Sequence, residues 1–239
     1  MTNQQFLDFF YIQYDKVANL SAPGYTPAEI SLLATEAQEL FVVTDYMPKS
    51  NIVREGFEET EKRIQDLGEL VTSDIITPAP YNPTLNMPNG VFVTLPNTLL
   101  TNPTDYSDVY WFTISEEAIT SMTCNGVPKR VKLIEISHQE YRQLLDDPFN
   151  RPTNDKAWRM RFENRRHELI TDGTYSITGY HVRYIRKPKP IDLVTNPTAS
   201  VSELSDHVHR ELVRKTLELA IKAIDDQGRL AVETKFRTE

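Results

Sequence analysis

Eight apolar side chains recur at three- and four-residue steps near the C-terminus: Leu204, Val208, Leu212, Val213, Leu217, Ala220, Ile221 and Ile224. That period lines one face of an α-helix about 20 residues, or roughly 30 Å, long. The spacing predicts a helix from about Ser205. Asp206 lies in its first turn, where the helix dipole favours an acid. Glu211–Lys215 and Glu218–Lys222 stand at i,i+4 in the favoured order. A stripe this long needs apolar partners. The first seventy residues supply candidates. Phe6, Phe9, Phe10, Tyr14 and Val17 share a helical face. A second helix is signalled by Thr26-Pro27-Ala28-Glu29, with Thr26 as cap, Pro27 at the first helical position and Glu29 as the capping-box acid. Its stripe runs through Ile30, Leu33, Ala34, Ala37, Leu40 and Phe41. A third helix is expected from about Asn51 to Leu70, with Val53, Phe57, Ile64, Leu67 and Val71 turned inward.

Between these ends the period changes. Short β-branched or aromatic runs at 71–77, 90–95, 109–114, 131–136 and 175–185 read as strands. The segment 138–145 reads as a short helix. Six prolines (Pro78, Pro80, Pro83, Pro88, Pro96 and Pro103) suit edges and extended loops, so this stretch reads either as a projecting arm or as a loop lying on the parent sheet. Asn196 to Ser200 reads as a hinge-like linker and Gln227 to Glu239 as a polar tail. The expected fold class is α+β: a helical bundle built from the N-terminal helices and a long C-terminal helix, with an inserted antiparallel β-rich domain. The expected division is 1–70, 71–197 and 198–239.

Composition narrows the chemistry. Of 239 residues, 39% are hydrophobic and 25% charged, an ordinary globular balance. No apolar run approaches the roughly 18 residues of a membrane span, and the first residues carry no secretory pattern. Cys124 is the single cysteine, which fits folding in a reducing compartment. No phosphate-cradling glycine motif, C-x-x-C or H-E-x-x-H occurs. Asp146-Asp147 reads as a solvent-facing pair. His207 and His209 would point about 200° apart on a helix and so could not share one ion. No catalytic, cofactor or metal site is expected, and the chain is read as working by docking rather than chemistry.

The net charge of −8 argues against a molecule-wide nucleic-acid surface. The charge is uneven. Residues 151–190 hold ten basic and four acidic residues, a net +6, which leaves −14 elsewhere. Trp158-Arg159-Met160-Arg161-Phe162 alternates apolar and basic residues. As a strand it would carry the arginines on one face, reading either as an ordinary solvated face or as a surface for acidic groups.

Several stretches occur together in order: Ser137-His138-Gln139-Glu140-Tyr141; Asp147-Pro148-Phe149-Asn150-Arg151-Pro152; Ala157-Trp158-Arg159; Glu168-Leu169-Ile170; the run from Tyr180 to Ile191; and the run from Leu204 to Val213. This ordered set resembles the structural proteins of crAss-like and related short-tailed bacteriophages, above all their head-to-tail connector (ring or adaptor) subunits. The resemblance covers the C-terminal hundred residues well and the helical N-terminus in outline. It implies a virion subunit that assembles with itself into a ring of twelve copies. The ring would meet the portal protein and other tail or ring proteins, with genomic DNA only as passenger and no membrane. On that reading Arg159, Arg161, Arg165, Arg166, Arg186, Lys187, Lys189, Arg229, Lys235, Phe236 and Arg237 are candidate protein-interface residues. Glu58, Glu59, Glu61, Asp225 and Asp226 are candidate channel- or solvent-facing acids. Two other classes remain open: a nucleic-acid-binding module using the basic 151–190 segment, and a hydrolase with an unrecognised site at Cys124 or the histidines.

Overall fold

A computed structural model describes residues 1–17, 24–46, 57–82, 84, 86–96, 109–163 and 165–236. For residues 16, 17, 45, 46, 163 and 225–236 the description is of the backbone alone. The chain divides into two compact units, one formed by Met1–Leu70 with Pro188–Glu239 and the other by Val71–Lys187.

In the first unit, α1 (Asn3–Val17), α2 (Pro27–Tyr46), the short α3 (Glu61–Leu67) and α5 (His209–Phe236) are present. Both halves of the capping box at α2 form: Thr26 N donates to Glu29 Oε2 at 2.7 Å, and Glu29 N donates to Thr26 Oγ1 at 3.4 Å. This contact holds the Glu29 carboxyl below its usual range. Phe6, Phe10, Tyr14, Ile30, Ala34 and Ala37 are buried together with Leu212, Val213 and Ala220 of α5.

The expected helical bundle with an antiparallel insert is not what forms. The helical core is completed by a non-helical segment, 188–208, which buries Ile191, Leu193, Val201 and Leu204. Its backbone is bonded along the helices. Ile191 N donates to Thr35 Oγ1 at 3.0 Å and Leu193 N to Ser31 Oγ at 3.1 Å. Gln38 Nε2 donates to Lys189 O at 2.8 Å. At the start of α1, where helix N–H groups lack internal partners, Asn3 N donates to Ala199 O and Gln4 N to Pro197 O, both at 3.0 Å. Buried Asn3 Nδ2 adds bonds to the carbonyls of Asp192 and Asn196. The stretch 196–200 is therefore a pinned strap, not a hinge.

Other expectations fail on geometry. Phe9, Leu40 and Ile64 are exposed, because the segment and helices cover narrower stripes than the sequence offers. Glu211 meets Lys62 at 3.7 Å, and Lys215 lies over the Phe41 ring at 4.6 Å instead of pairing with Glu211. Residues 51–56 of the expected third helix lie outside the described residues. The rest of that span is broken into a turn at Phe57–Glu59, α3, and a further turn at Gly68–Leu70.

The second unit holds a seven-stranded sheet in the order β1-β7-β3-β4-β5-β6-β2. The strands are β1 (Val71–Ile76), β2 (Gly90–Thr94), β3 (Tyr110–Cys124), β4 (Val127–Glu135), β5 (Lys156–Glu163), β6 (Arg166–Ile170) and β7 (Ile177–Arg186). It is mixed rather than antiparallel: β4 and β5 run parallel, joined by a crossover that contains α4 (Glu140–Asp146). Asn125 and Gly126, with φ of 54° and 79°, make the tight turn of the β3–β4 hairpin, where positive φ at both positions suits Asn-Gly.

The sheet curls until its edges approach. β1 ends at Ile76, and three residues later Ala79 N donates to Phe92 O of β2 at 2.7 Å. Three residues span at most about 10 Å. Pro78 and Pro80 flank that donor and have no N–H of their own. The described part of the proline-rich stretch is thus a strap across the sheet edges; Pro83 and residues 97–103 lie outside the described residues. On β1, the Asp74 carboxylate accepts the Ile75 N–H at 2.7 Å. An acid on one edge and a proline strap on the other both discourage strand addition by another chain. Inside the curl Val93, Val131, Leu133, Leu169, Tyr180 and Val182 pack together, and α4 covers part of the outer face with Tyr141, Leu144 and Leu145 against Trp158 and Met160.

Candidate functional site

Two constellations in the second unit stand out, one buried and one on the surface. The buried one follows from the alternation along β5. Trp158 and Met160 face α4, so Ala157 and Arg159 point into the curl. Arg159 is 4% exposed there. Its Nη2 donates to Glu135 Oε2 at 2.6 Å. Its Nε lies 2.7 Å from Glu116 Oε1, an ion pair by distance, although the N–H is not aligned as a hydrogen bond. Tyr180 donates its hydroxyl to Glu116 Oε2 at 2.7 Å. His167, 3% exposed, stands 3.2 Å from Tyr180 Oη and 3.5 Å from Arg159 Nη1. Residues from β3 to β7 are tied in one chain of contacts.

Burial sets the protonation states of this cluster. Desolvation lowers the His167 pKa to about 3, helped by the nearby Arg159 and Arg161 charges, so the ring is neutral at pH 7. Desolvation pushes Glu116 up, and Arg159 and Tyr180 oppose it. Burial also pushes the Tyr180 hydroxyl far up, with the Glu116 charge adding to it. A neutral histidine, a tyrosine and a carboxylate resemble parts of a proton-transfer site. Here, however, they line the packed inside of a sheet and bond to one another, so the arrangement holds strands together. An open cleft of about 440 Å3 elsewhere in this unit is lined by hydroxyls such as Ser121, Thr171 and Thr174 with Tyr81 and Tyr175. Among the described residues its wall holds no histidine, carboxylate, cysteine or lysine. The Tyr175 hydroxyl donates to Thr153 O at 3.0 Å, and burial raises its pKa to about 12.

The surface constellation is the turn after α4. Asp147 Oδ1 accepts from Phe149 N at 2.9 Å, and Asp147 Oδ2 accepts from Asn150 Nδ2 at 2.5 Å. The Phe149 amide, then Asn150, hold the Asp147 carboxyl below its usual range. Arg151 Nε donates to Leu145 O at 2.5 Å, Lys156 Nζ to Phe149 O at 2.7 Å, and buried Trp158 Nε1 to Asn150 O at 3.0 Å. The product is a braced loop that presents Phe149 87% exposed. A second capping box, Ser137 with Glu140, starts the helix that carries it.

The residues singled out from sequence scatter. Arg159 is buried in the ionic cluster and cannot face a partner. Arg161 is exposed and pairs with Glu135 at 2.9 Å. Arg165 is exposed; Arg166 is half-buried over the Phe92 ring at 4.7 Å. Arg186 and Lys187 are half-buried, and exposed Lys189 lies 3.5 Å from Glu203. Glu58, Glu59 and Glu61 are exposed. The side chains of Asp225, Asp226, Arg229, Lys235 and Phe236, and all of Arg237, lie outside the described residues. His207 and His209 do not converge: His207 Nε2 meets the buried Asp66 carboxylate at 2.5 Å. Among the described residues no group of three or more potential ligands could hold a metal ion, and no helix is long and apolar enough to cross a membrane. The exposure of Phe149 has one signal in the sequence: Asp-Pro-Phe-Asn, a turn sequence with an aromatic where turns are polar.

Residues 1–230 match the family of phage tail ring protein 3/4. The chain belongs to that family. It is 29% identical to "Ring protein 4/5" of Bacteroides phage crAss001, with all of both chains covered. It is 26% identical to "Ring protein 3" of the same phage over 92% of this chain and 95% of that one. The likeness to crAss-like phage structural proteins thus extends across the helical N-terminus as well as the C-terminal hundred residues. This ring protein is a structural subunit of a virion.

Proposed function

We propose that the chain is a ring-forming head-to-tail connector subunit that docks below the portal and joins it to other tail proteins. Twelve copies would surround the channel through which genomic DNA passes, and the subunit would work by assembly, not catalysis. The observation that carries this reading is the end-to-end similarity to crAss001 ring protein 4/5. The charge supports a passenger role for DNA. Twelve copies at −8 amount to about −96, whereas tight DNA binding needs many free basic contacts to phosphate. Of the basic segment, Arg159, Arg161 and Lys189 are already opposed by acids.

Light scattering on the purified protein, alone and then with purified portal, tests the reading. A mass of several subunits, or a joint complex with portal, is the expected result. A protein that remains a monomer in both settings defeats it. The same preparation is expected to leave duplex DNA unshifted in a gel at physiological salt. A strong, salt-sensitive shift would favour the nucleic-acid module instead.

A further inference from the structure

We propose that the cleft at one end of the curled sheet binds an uncharged saccharide, with Tyr81 as the ring on which the sugar lies and the Asn89 amide and Ser176 hydroxyl as the groups that bond its hydroxyls. This binding function goes beyond the assembly reading and does not depend on it.

The cleft opens where β2 and β7 begin and β6 ends. Its volume of about 440 Å3 falls within the roughly 300–1,000 Å3 of small-ligand sites, which favour places such as the mouths of β-barrels. Its floor is apolar: Tyr175 and Ile177 belong to the packed inside of the sheet, and Val91 packs against them. Its back is cross-tied. Ser121 N donates to Ser176 O at 2.8 Å, Ser176 N to Ser121 Oγ at 3.1 Å, and Thr171 N to Asn89 O at 3.2 Å. Tyr81 is held on both sides, by Ala79 N bonded to Phe92 O and by Asn82 N donating to Asn86 Oδ1 at 2.9 Å. Walls braced before a ligand arrives lose little freedom on binding. Outside the β3–β4 turn, positive φ occurs among the described residues only at this rim, at Asn89 (58°) and Gly173 (85°). A Cβ at Gly173 would lie 2.9 Å from Asn89 Nδ2, so the glycine is what lets that amide rest against the turn.

The groups left unused select the ligand. The Thr171 and Thr174 hydroxyls are spent inside the wall, on Tyr175 O and on Asp172. Among the described residues, the half-exposed Tyr81 hydroxyl, the Ser176 hydroxyl and the Asn89 amide make no hydrogen bond. The wall offers an ion no counter-charge, so a charged ligand would lose its hydration without return. Asp172 turns its carboxylate onto Thr174 N at 2.9 Å. Burial, then Asp172 and Asp155, raise the Tyr175 hydroxyl, and those same acids disfavour a phosphate or a nucleic acid here. A peptide is served less well. Beside the cleft the edge of β2 already takes Ala79 N at Phe92 O, and the prolines on either side of Ala79 leave no ladder to extend. A pyranose brings what the cleft can use: hydroxyls in several directions for the free amide and hydroxyls, and an apolar C–H face for the Tyr81 ring.

Saturation-transfer NMR, observed on the ligand, tests this on the full chain in whatever assembly it forms. The probes are maltotriose, mannobiose, galactobiose and chitobiose at millimolar concentration, with a sugar phosphate and a neutral Ser-Thr-Ala-Gly peptide beside them. Transfer to at least one neutral sugar is expected, strongest at the C–H protons of one ring face. Tyr81→Ala is expected to weaken that sugar's binding roughly tenfold, and Tyr81→Phe, which keeps the ring, to retain most of it. Asn89→Gly keeps the positive φ and removes only the amide, so a loss of several-fold is expected with circular dichroism matching the parent. No transfer to any of the neutral sugars overturns the proposal. Transfer that persists undiminished in Tyr81→Ala and Asn89→Gly also overturns it, since the sugar then lies elsewhere. A preference for the sugar phosphate or for the peptide refutes the ligand class. None of these results bears on the ring reading, which stands or falls with the assembly mass.

Discussion

Replacing Arg159 with leucine is expected to cost about 3–5 kcal/mol of folding stability, measured as a fall in ΔG of urea unfolding. The guanidinium is 4% exposed and serves Glu116, Glu135 and His167 at once. Leucine fills part of its volume but leaves the Glu116 carboxylate inside the curl with only the Tyr180 hydroxyl for company. Burial already pushes that carboxyl up; without Arg159 it would take a proton or draw in water, and either outcome is costly. Arg161 is the control on the same strand. Its side chain is 66% exposed and pairs at the surface with Glu135, so Arg161→Leu is expected to cost under about 1 kcal/mol. Combining Arg159→Leu with Glu116→Gln should recover part of the loss, because the stranded charge is then absent. Equal unfolding midpoints for the Arg159 and Arg161 variants would show that the buried cluster does not hold the sheet.

The helices were legible because their signals are local. Thr26-Pro27-Ala28-Glu29 fixes the start of α2 whatever surrounds it, and the α5 stripe matches α1 and α2 in apolar content. What the pattern could not supply is the width of the face that gets covered. Phe9 and Leu40 satisfy the helical period and still face water, because the covering element is the extended 188–208 segment and not another broad helix. Of that segment the sequence marks only Asn196 to Ser200 as a linker. Its order comes from hydroxyl and amide side chains (Ser31, Thr35, Gln38, Asn3) whose partners lie more than 150 residues away.

The sheet was harder for a related reason. β6 reads Arg-His-Glu-Leu-Ile, and two of its polar residues are buried. His167 lies in the ionic cluster, and Glu168 accepts Met87 N at 2.5 Å beneath Gly90, where a Cβ would stand 2.6 Å from its carboxylate. Polarity hid the strand because tertiary partners, not water, satisfy it. The basic segment misled in the same way: +6 in sequence says nothing of which arginine is turned inward, and the alternation along β5 sends Arg159 into the core. The turn dipeptide Asn125-Gly126 was a usable signal for the β3–β4 hairpin. The parallel β4–β5 pair left none beyond the crossover helix between them.

Acid is expected to weaken the fold through His167 well before most carboxylates matter. In the folded chain burial holds this imidazole at about 3, against the ordinary 6.5 it recovers on unfolding. Between those values the unfolded chain binds a proton that the folded one refuses, so stability falls as pH drops through that window and is intact above it. Each pH unit within the window is worth about 1.4 kcal/mol, so descent from pH 6.5 to 4.5 should cost roughly 2–3 kcal/mol from this group alone. The groups facing it explain the direction: Arg159 and Arg161 repel a second cation, and Tyr180 gives no negative charge to offset it. Glu116 acts in the opposite sense, since a carboxyl with a raised pKa is protonated more readily in the folded state and returns some stability as pH falls. His167→Gln keeps a polar side chain at the site and removes the titration. Its urea-unfolding ΔG should therefore decline less steeply than the parent's between pH 6.5 and 4.5, by those same 2–3 kcal/mol. Buried His209, also lowered, titrates equally in both proteins and cancels from the comparison. Parallel curves would mean that His167 takes its proton inside the fold, and the burial that holds its pKa down would not be what the packed sheet imposes.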